Sequence, residues 1–309
     1  MKAKVMGMRG LLSAFAAGVT TAMFAAGARA DQLMGQPTPG GLGLQPAASP
    51  LKHSAQFFHD AILLPIITVI SLFVLALLVW VMIRYNKRAN PVAAKWSHNT
   101  LVEVIWTLAP VLILMVIAIF SFRLLFAYHN MPKPYMTVKA VGYQWNWGYE
   151  YPDQQIPEYI SAMLTEEEVA KRGLSHGLYR LAATEAMVVP VGKVVRVQVT
   201  ASDVIHSFAL PAFGLKTDGV PGRLNETWFT AEKIGTYYGQ CSELCGVDHA
   251  FMPIEIKVVS QADFDAWVAT KAPAAPAPAV ATTADAAIAP TPTAAPAAPA
   301  AGPAPAATN

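Results

Sequence analysis

Two long apolar runs lie in the first half of the chain, and short alternating runs follow them. Ala61 to Ile83 is 23 residues, of which only Pro65, Thr68 and Ser71 fall outside the apolar set. Leu101 to Phe122 is 22 residues, interrupted by Glu103, Thr107, Pro110 and Ser121. At about 1.5 Å per residue, either run crosses a hydrocarbon core of about 30 Å. The pattern predicts a transmembrane hairpin within residues 56–130, its helices near 61–83 and 101–122. Beyond Met131 the period changes. Val138–Val141, Met187–Val191, Val194–Thr200, Glu226–Thr230 and Ile254–Val259 are β-branched or alternating runs. Pro190-Val191-Gly192, Pro211, Gly214, Gly219 and Pro221-Gly222 punctuate them, which predicts an all-β sandwich over residues 131–270. Thr165 followed by Glu168 predicts a short helix over Thr165–Lys171 with a capping box. A second helix is expected over Ser260–Ala269. Residues 271–309 are mainly alanine and proline, lack the side chains of a core, and read as a disordered tail.

Composition agrees with membrane-embedded length. Only 14% of the residues are charged and 54% are hydrophobic, against about 25% charged in soluble domains. Lys2, Lys4 and Arg9 precede an alanine-rich apolar stretch that ends at Ala28-Arg29-Ala30. Residues 1–30 therefore read as a signal peptide cut after Ala30, and residues 31–55 as a periplasmic N-terminal segment. The link between the two spans holds Arg84, Lys87, Arg88 and Lys95 and no acidic residue, which places it in the cytoplasm. The β domain then lies in the periplasm of a bacterium, anchored as a multi-pass protein in the lipid bilayer of the inner membrane. The formal net charge of +2 hides this division, because residues 131–270 alone carry 11 basic and 16 acidic side chains. Nothing in that balance suggests a nucleic-acid partner.

The candidate chemistry is concentrated between Cys241 and Met252, a segment that also holds Glu243, Cys245, Gly246 and His249. Two thiols, an imidazole and a thioether suit copper or zinc, whereas hard ions would need more carboxylates. His206, beyond the predicted strand Val194–Thr200, offers a second imidazole. A Cys241–Cys245 disulfide suits an oxidising compartment but gives His249 and Met252 no part. Zinc takes two Cys and two His and leaves Met252 over. A single blue copper takes one Cys, two His and an axial Met and leaves a cysteine over. Two coppers bridged by both thiolates use every member.

These residues resemble the dinuclear CuA site of subunit II of haem–copper cytochrome c oxidases. The resemblance is carried by Tyr143-Gln144-Trp145-Asn146-Trp147, by Asp203 through His206, by Lys216 through Arg223 and by the Cys241–Met252 loop. His98-Asn99-Thr100, Glu103 and Trp106 add to it at the second span, and the likeness runs from about residue 55 to 268. It implies a cupredoxin-like sandwich in which Cys241 and Cys245 bridge two copper ions. His206 and His249 would be terminal ligands, and Met252 and the Glu243 carbonyl weak ones. The Glu243 side chain would face a magnesium shared with subunit I. The resemblance makes Trp145 the point where electrons arrive from cytochrome c and Glu103 the entrance of a proton pathway. The activity implied is reduction of oxygen to water coupled to proton pumping, an oxidoreductase and translocase. The haem and CuB would belong to subunit I, with no haem in this chain and other oxidase subunits as further partners.

Alternation would put Tyr143, Trp145, Trp147, Tyr149 and Tyr151 on one face of an extended strand. Glu150, Asp203, Asp153, Glu158 and Asp218 lie near the aromatic and copper motifs in sequence, and an acidic surface there would steer a basic cytochrome c. Glu166, Glu167 and Glu168 read as a solvated helix face. A quinol oxidase subunit would lack Cys241 and Cys245, and the dicopper domain of nitrous oxide reductase is soluble. A CuA-containing subunit of a nitric oxide reductase type is the alternative that the sequence leaves standing.

Overall fold

The computed structural model describes residues 34–271, so the expected signal peptide and the tail beyond Lys271 lie outside the described residues. Helix α1 runs over Pro50–Arg84 and α2 over Thr100–His129. Ser49 starts α1 by accepting the Lys52 amide on its hydroxyl, with Pro50 at the first helical position, where a missing N–H costs nothing. Asn99 starts α2 in the same way, through the Val102 amide. Both helices outrun the apolar segments 61–83 and 101–122, because caps and backbone hydrogen bonds set their ends, and hydropathy does not. Neither buries a residue beyond Lys52, and their spans are apolar all round, the mark of a helix whose solvent is hydrocarbon.

Ten strands follow: β1 (Met136–Tyr143), β2 (Asn146–Tyr151), β3 (Ile156–Ser161), β4 (Met187–Pro190), β5 (Val194–Ala201), β6 (His206–Leu210), β7 (Leu215–Gly219), β8 (Asn225–Thr230), β9 (Gly235–Cys241) and β10 (Pro253–Val259). They form two five-stranded sheets, β3-β2-β1-β5-β8 and β4-β10-β9-β6-β7. β1 pairs parallel with β5, and β10 parallel with β4; the other pairings are antiparallel. Val195, Val197 and Val199 alternate inward along β5 and meet Phe208, Leu210, Ile254 and Ile256 in the common core. The sandwich expected over residues 131–270 is therefore present.

Helix α3 (Glu166–Lys171) opens with the expected capping box, both of its reciprocal bonds between Thr165 and Glu168 being formed. Its three glutamates are exposed, while Val169 packs with Leu164, Leu178 and Tyr238 in a small satellite core. The carboxylate of Glu255, only 3% exposed, ties this excursion to β10. It accepts from the Ala183 amide at 2.7 Å and from Arg172 at 3.3 Å. Helix α4 (Gln261–Lys271) reaches two residues beyond the expected Ala269 and lays Trp267 against Tyr151 at 5.0 Å between ring centres.

The aromatic run does not share the one face of a continuous strand expected of it. Gly142 faces Trp147 and Tyr143 faces Asn146, so Gln144 and Trp145 are the two-residue turn of a hairpin. The turn breaks the alternation. Trp147, Tyr149 and Tyr151 are wholly buried, and only Tyr143 and Trp145 remain at the surface.

Candidate metal centre

His206 opens β6 and Cys241 closes β9, and antiparallel pairing of these strands brings them together. Cys245 lies in the following loop, His249 in a short 3-10 turn, and Met252 immediately before β10. The loop is pinned at both ends. The Cys241 amide donates to the Met252 carbonyl at 3.2 Å and the Ser242 amide to the Ser207 carbonyl at 3.0 Å.

Both cysteines are free. Their sulfurs lie 3.9 Å apart, with His206 Nδ1 3.9 Å from Cys241 Sγ and His249 Nδ1 3.6 Å from Cys245 Sγ. Met252 Sδ is 3.5 Å from Cys245 Sγ, and the Cys241 thiol donates to the Glu243 carbonyl at 3.3 Å. His206, Cys241, Cys245 and Met252 are each at most 5% exposed. Two thiols, two imidazole nitrogens, a thioether and a carbonyl thus converge, with His206, both thiols and Met252 buried, His249 partly exposed and Glu243 at the surface. This donor set fits a soft or borderline metal such as copper and suits a hard, oxygen-seeking ion poorly.

The surroundings orient the donors. Asp203 Oδ1 lies 2.9 Å from His206 Nε2, which fixes the ring and leaves Nδ1 facing the sulfurs. The other Asp203 oxygen accepts from the Gln144 amide at 2.7 Å. Burial pushes the Asp203 carboxyl up, but the bond from His206 and the Val204 and Gln144 amides outweigh it and hold the group below its usual range. Burial likewise opposes charge on His206, and contact with Cys241 and Asp203 reverses the balance, so its pKa is raised. Burial raises both thiols. Hydrogen bonding to His206 and to the surrounding backbone brings Cys241 below the normal thiol range, whereas burial and the neighbouring Cys241 charge hold Cys245 above it.

Two glycines make the site possible. A Cβ on Gly142 would lie 2.7 Å from the His206 ring. Gly246 has φ +126° and its Cβ would meet Trp145 at 2.9 Å. Trp145 Nε1 donates to the Cys245 carbonyl at 3.3 Å, and Gln144 Nε2 donates to the same oxygen at 2.8 Å. The β1–β2 turn therefore sits directly on the ligand loop. Trp147 touches the site from the core side, its ring 6.0 Å from His206.

The acidic residues named from sequence do not form one cluster. Glu158 accepts from the Tyr143 hydroxyl at 2.8 Å and lies with Asp203 beside the Trp145 turn. Glu150 pairs with Lys139 at 3.1 Å, farther along the hairpin. Asp153 accepts from the Thr137 amide at the opposite end of β1, about 20 Å away at 3.3 Å per residue. Asp218 faces Ser207 across β6–β7 and pairs with Lys216 at 3.1 Å, which also approaches Glu243 at 3.8 Å. Glu103 lies in the first turn of α2, where it accepts from the Asn99 amide at 3.2 Å, and it lines a shallow groove with Thr100 and Thr107. Sequence reasoning missed the orienting part of Asp203 and the contact of Gln144. A glycine inside a strand, as at Gly142, was the one available signal of close approach.

Residues 37–124 match the family model described as cytochrome c oxidase subunit II, transmembrane domain, and residues 136–259 match that described as its periplasmic domain. The chain belongs to the cytochrome c oxidase subunit II family. A Rickettsia bellii protein described as a cytochrome c oxidase subunit 2 is 51% identical over 239 residues, covering 76% of this chain and 86% of that one. Cytochrome c oxidase subunit 2 of Cereibacter sphaeroides is 44% identical over 276 residues, covering 85% of this chain and 88% of that one. The crystallised periplasmic domain of subunit II of cytochrome oxidase from Bradyrhizobium japonicum is 55% identical with a TM-score of 0.42, covering 46% of this chain and 96% of that one. This subunit II is accordingly a membrane protein and part of a haem–copper oxidoreductase. Family membership implies a CuA copper centre, and the buried His206, Cys241 and Cys245 cluster could hold metal. The nitric oxide reductase alternative is not favoured.

Proposed function

We propose that this chain is the electron-accepting subunit of the oxidase, taking electrons from cytochrome c and passing them to haem in a separate subunit, where oxygen is reduced to water and protons are pumped. His206, Cys241, Cys245, His249, Met252 and the Glu243 carbonyl hold a dinuclear copper centre in this reading. When bound, copper supplies the one-electron redox chemistry. The observation that carries the reading is the convergence of His206, His249 and Met252 on a pair of free thiols directly beneath Trp145.

The chain's own residues do the rest. Strands β6 and β9 fix His206 and Cys241, and the Cys241 amide holds the Met252 carbonyl, so the donors reorganise little when charge arrives. Asp203 locks the His206 tautomer. Trp145, half-buried and bonded to the Cys245 carbonyl, offers the surface contact for cytochrome c, with Glu158 and Asp203 beside it to attract a basic partner. Glu150 and Asp218 extend that surface, whereas Asp153 contributes at most through long-range charge. The Glu243 carboxylate, 46% exposed and only loosely approached by Lys216, is free to turn toward a magnesium shared with subunit I. Glu103 would admit protons from the cytoplasmic side, with the β domain in the periplasm, an orientation supported by the basic link that holds Arg84, Lys87, Arg88 and Lys95.

Electron paramagnetic resonance on the copper-loaded oxidase tests the centre. A mixed-valence signal shared over two coppers supports the reading, and one copper per chain or an inert disulfide sinks it. Trp145→Phe is expected to slow cytochrome c oxidation while leaving the copper spectrum intact. A normal rate in that variant removes Trp145 from the path.

A further inference from the structure

Arg123 follows directly on the apolar run of α2, at the height where the span meets the lipid headgroups. Among the described residues it makes no hydrogen bond and no ion pair. It lines a cleft of about 580 Å³ between the two helices, together with His53, Phe57, Phe58 and Ile62 of α1 and Phe120 and Leu124 of α2. The π-helical stretch Phe58–Leu63 brings Phe58 and Ile62 to this cleft. One turn deeper, Ile66 and Val116 line a second, almost wholly apolar cleft of about 480 Å³ between the same helices. Residues four apart share a helix face, so the two clefts follow one another along a single groove. From Arg123 to Leu112 the groove descends about 16 Å at about 1.5 Å per residue. Half of a hydrocarbon core of about 30 Å is one leaflet, and the depths agree.

A lone cation above an apolar groove one leaflet deep is complementary to an amphiphile with an anionic head. A neutral lipid would leave the cation unanswered, and a protein carboxylate would leave the groove open. We infer that Arg123 and the groove beneath it bind one anionic phospholipid, its phosphate on the guanidinium and an acyl chain between α1 and α2. His53 is already held by Glu232 at 2.9 Å, so recognition of the anion rests on Arg123.

The test uses the assembled oxidase in a neutral detergent, with phosphatidylglycerol or phosphatidylcholine added and bound lipid counted by native mass spectrometry. Wild type is expected to prefer phosphatidylglycerol by about fivefold, the weight of a single cation at the membrane surface. Arg123→Gln loses that preference and Arg123→Lys keeps it. Val116→Trp fills the groove and weakens binding of both lipids with Arg123 in place. Equal binding of the two lipids, or an unchanged preference in Arg123→Gln, overturns the inference. Displacement of phosphatidylglycerol by inorganic phosphate alone does the same, since the site would then hold a free anion. If Arg123→Gln instead releases a neighbouring oxidase subunit with lipid preference unaltered, the cation answers a protein acid and the inference fails.

Discussion

The membrane helices and the metal centre are both rich in apolar residues, yet they are specified in opposite ways. Along the spans of α1 and α2 the side chains face outward on all sides. Hydrocarbon makes no distinction between one aliphatic side chain and another of similar size, so the requirement is length and apolarity. At the metal centre six donor groups arrive from β6, from the end of β9, from a loop and from the edge of β10. The packing around them is close: a Cβ on Gly142 would strike the His206 ring, and one on Gly246 would strike Trp145 above the ligand loop. Tolerance belongs to the helices and intolerance to the site.

The largest expected contrast comes from one atom. Cys245→Ser should abolish the two-copper signal entirely, read by metal content and paramagnetic resonance, while Leu75→Ile in the span should change stability by less than about 0.5 kcal/mol. Retention of two coppers by the serine variant would break the comparison. Next in size is Asp203→Asn, which should lower copper affinity by about 10–100-fold through a misoriented His206, with the thermal transition little altered. An unchanged affinity would show that the sheet alone orients the ring. Glu158→Gln should slow encounter with cytochrome c at low salt, and the difference should vanish above a few tenths molar salt, where the screening length falls to about 3–8 Å. A deficit that persists at high salt points to a change in shape rather than lost steering.

The smallest effect concerns α3, an element encoded within six residues. Hydrogen bonds from Thr165 hold the Glu168 carboxyl below its usual 4.5. A depressed folded-state value means that the box stabilises the helix above pH 4.5 and that this stability is lost as the pH falls through the lower value. Amide exchange in α3 should accelerate in that acid window, and Glu168→Gln should remove the pH dependence. The metal centre, built from distant segments, should show no response to that substitution.

The capping box, the two spans and five strand cores were legible because each is a local pattern with a short-range physical cause. β2, β3, β6, β7 and β9 were not, since glycines, a proline and polar residues interrupt their local β signal, as Gly235 and Gly239 do around Thr236-Tyr237-Tyr238. Their strand character comes from neighbours in the sheet. The aromatic alternation misled for a related reason. A turn at Gln144-Trp145 resets which face each residue takes, and a period-two pattern contains no record of a turn inside it. The acidic residues were grouped by nearness in sequence, whereas Asp153 and Glu158 lie at opposite ends of the hairpin.

By itself the sequence determined the kind of chemistry, because donor softness is a property of the side chains, and it determined the two spans, because hydrocarbon thickness sets a length. The tertiary structure alone decided that His206 meets Cys241, that Asp203 holds the far side of that imidazole, and that Trp145 rather than Trp147 lies at the surface. These are relations between residues far apart in the chain or separated by a turn. Only the pairing of strands and the packing of two sheets bring them within a few ångströms.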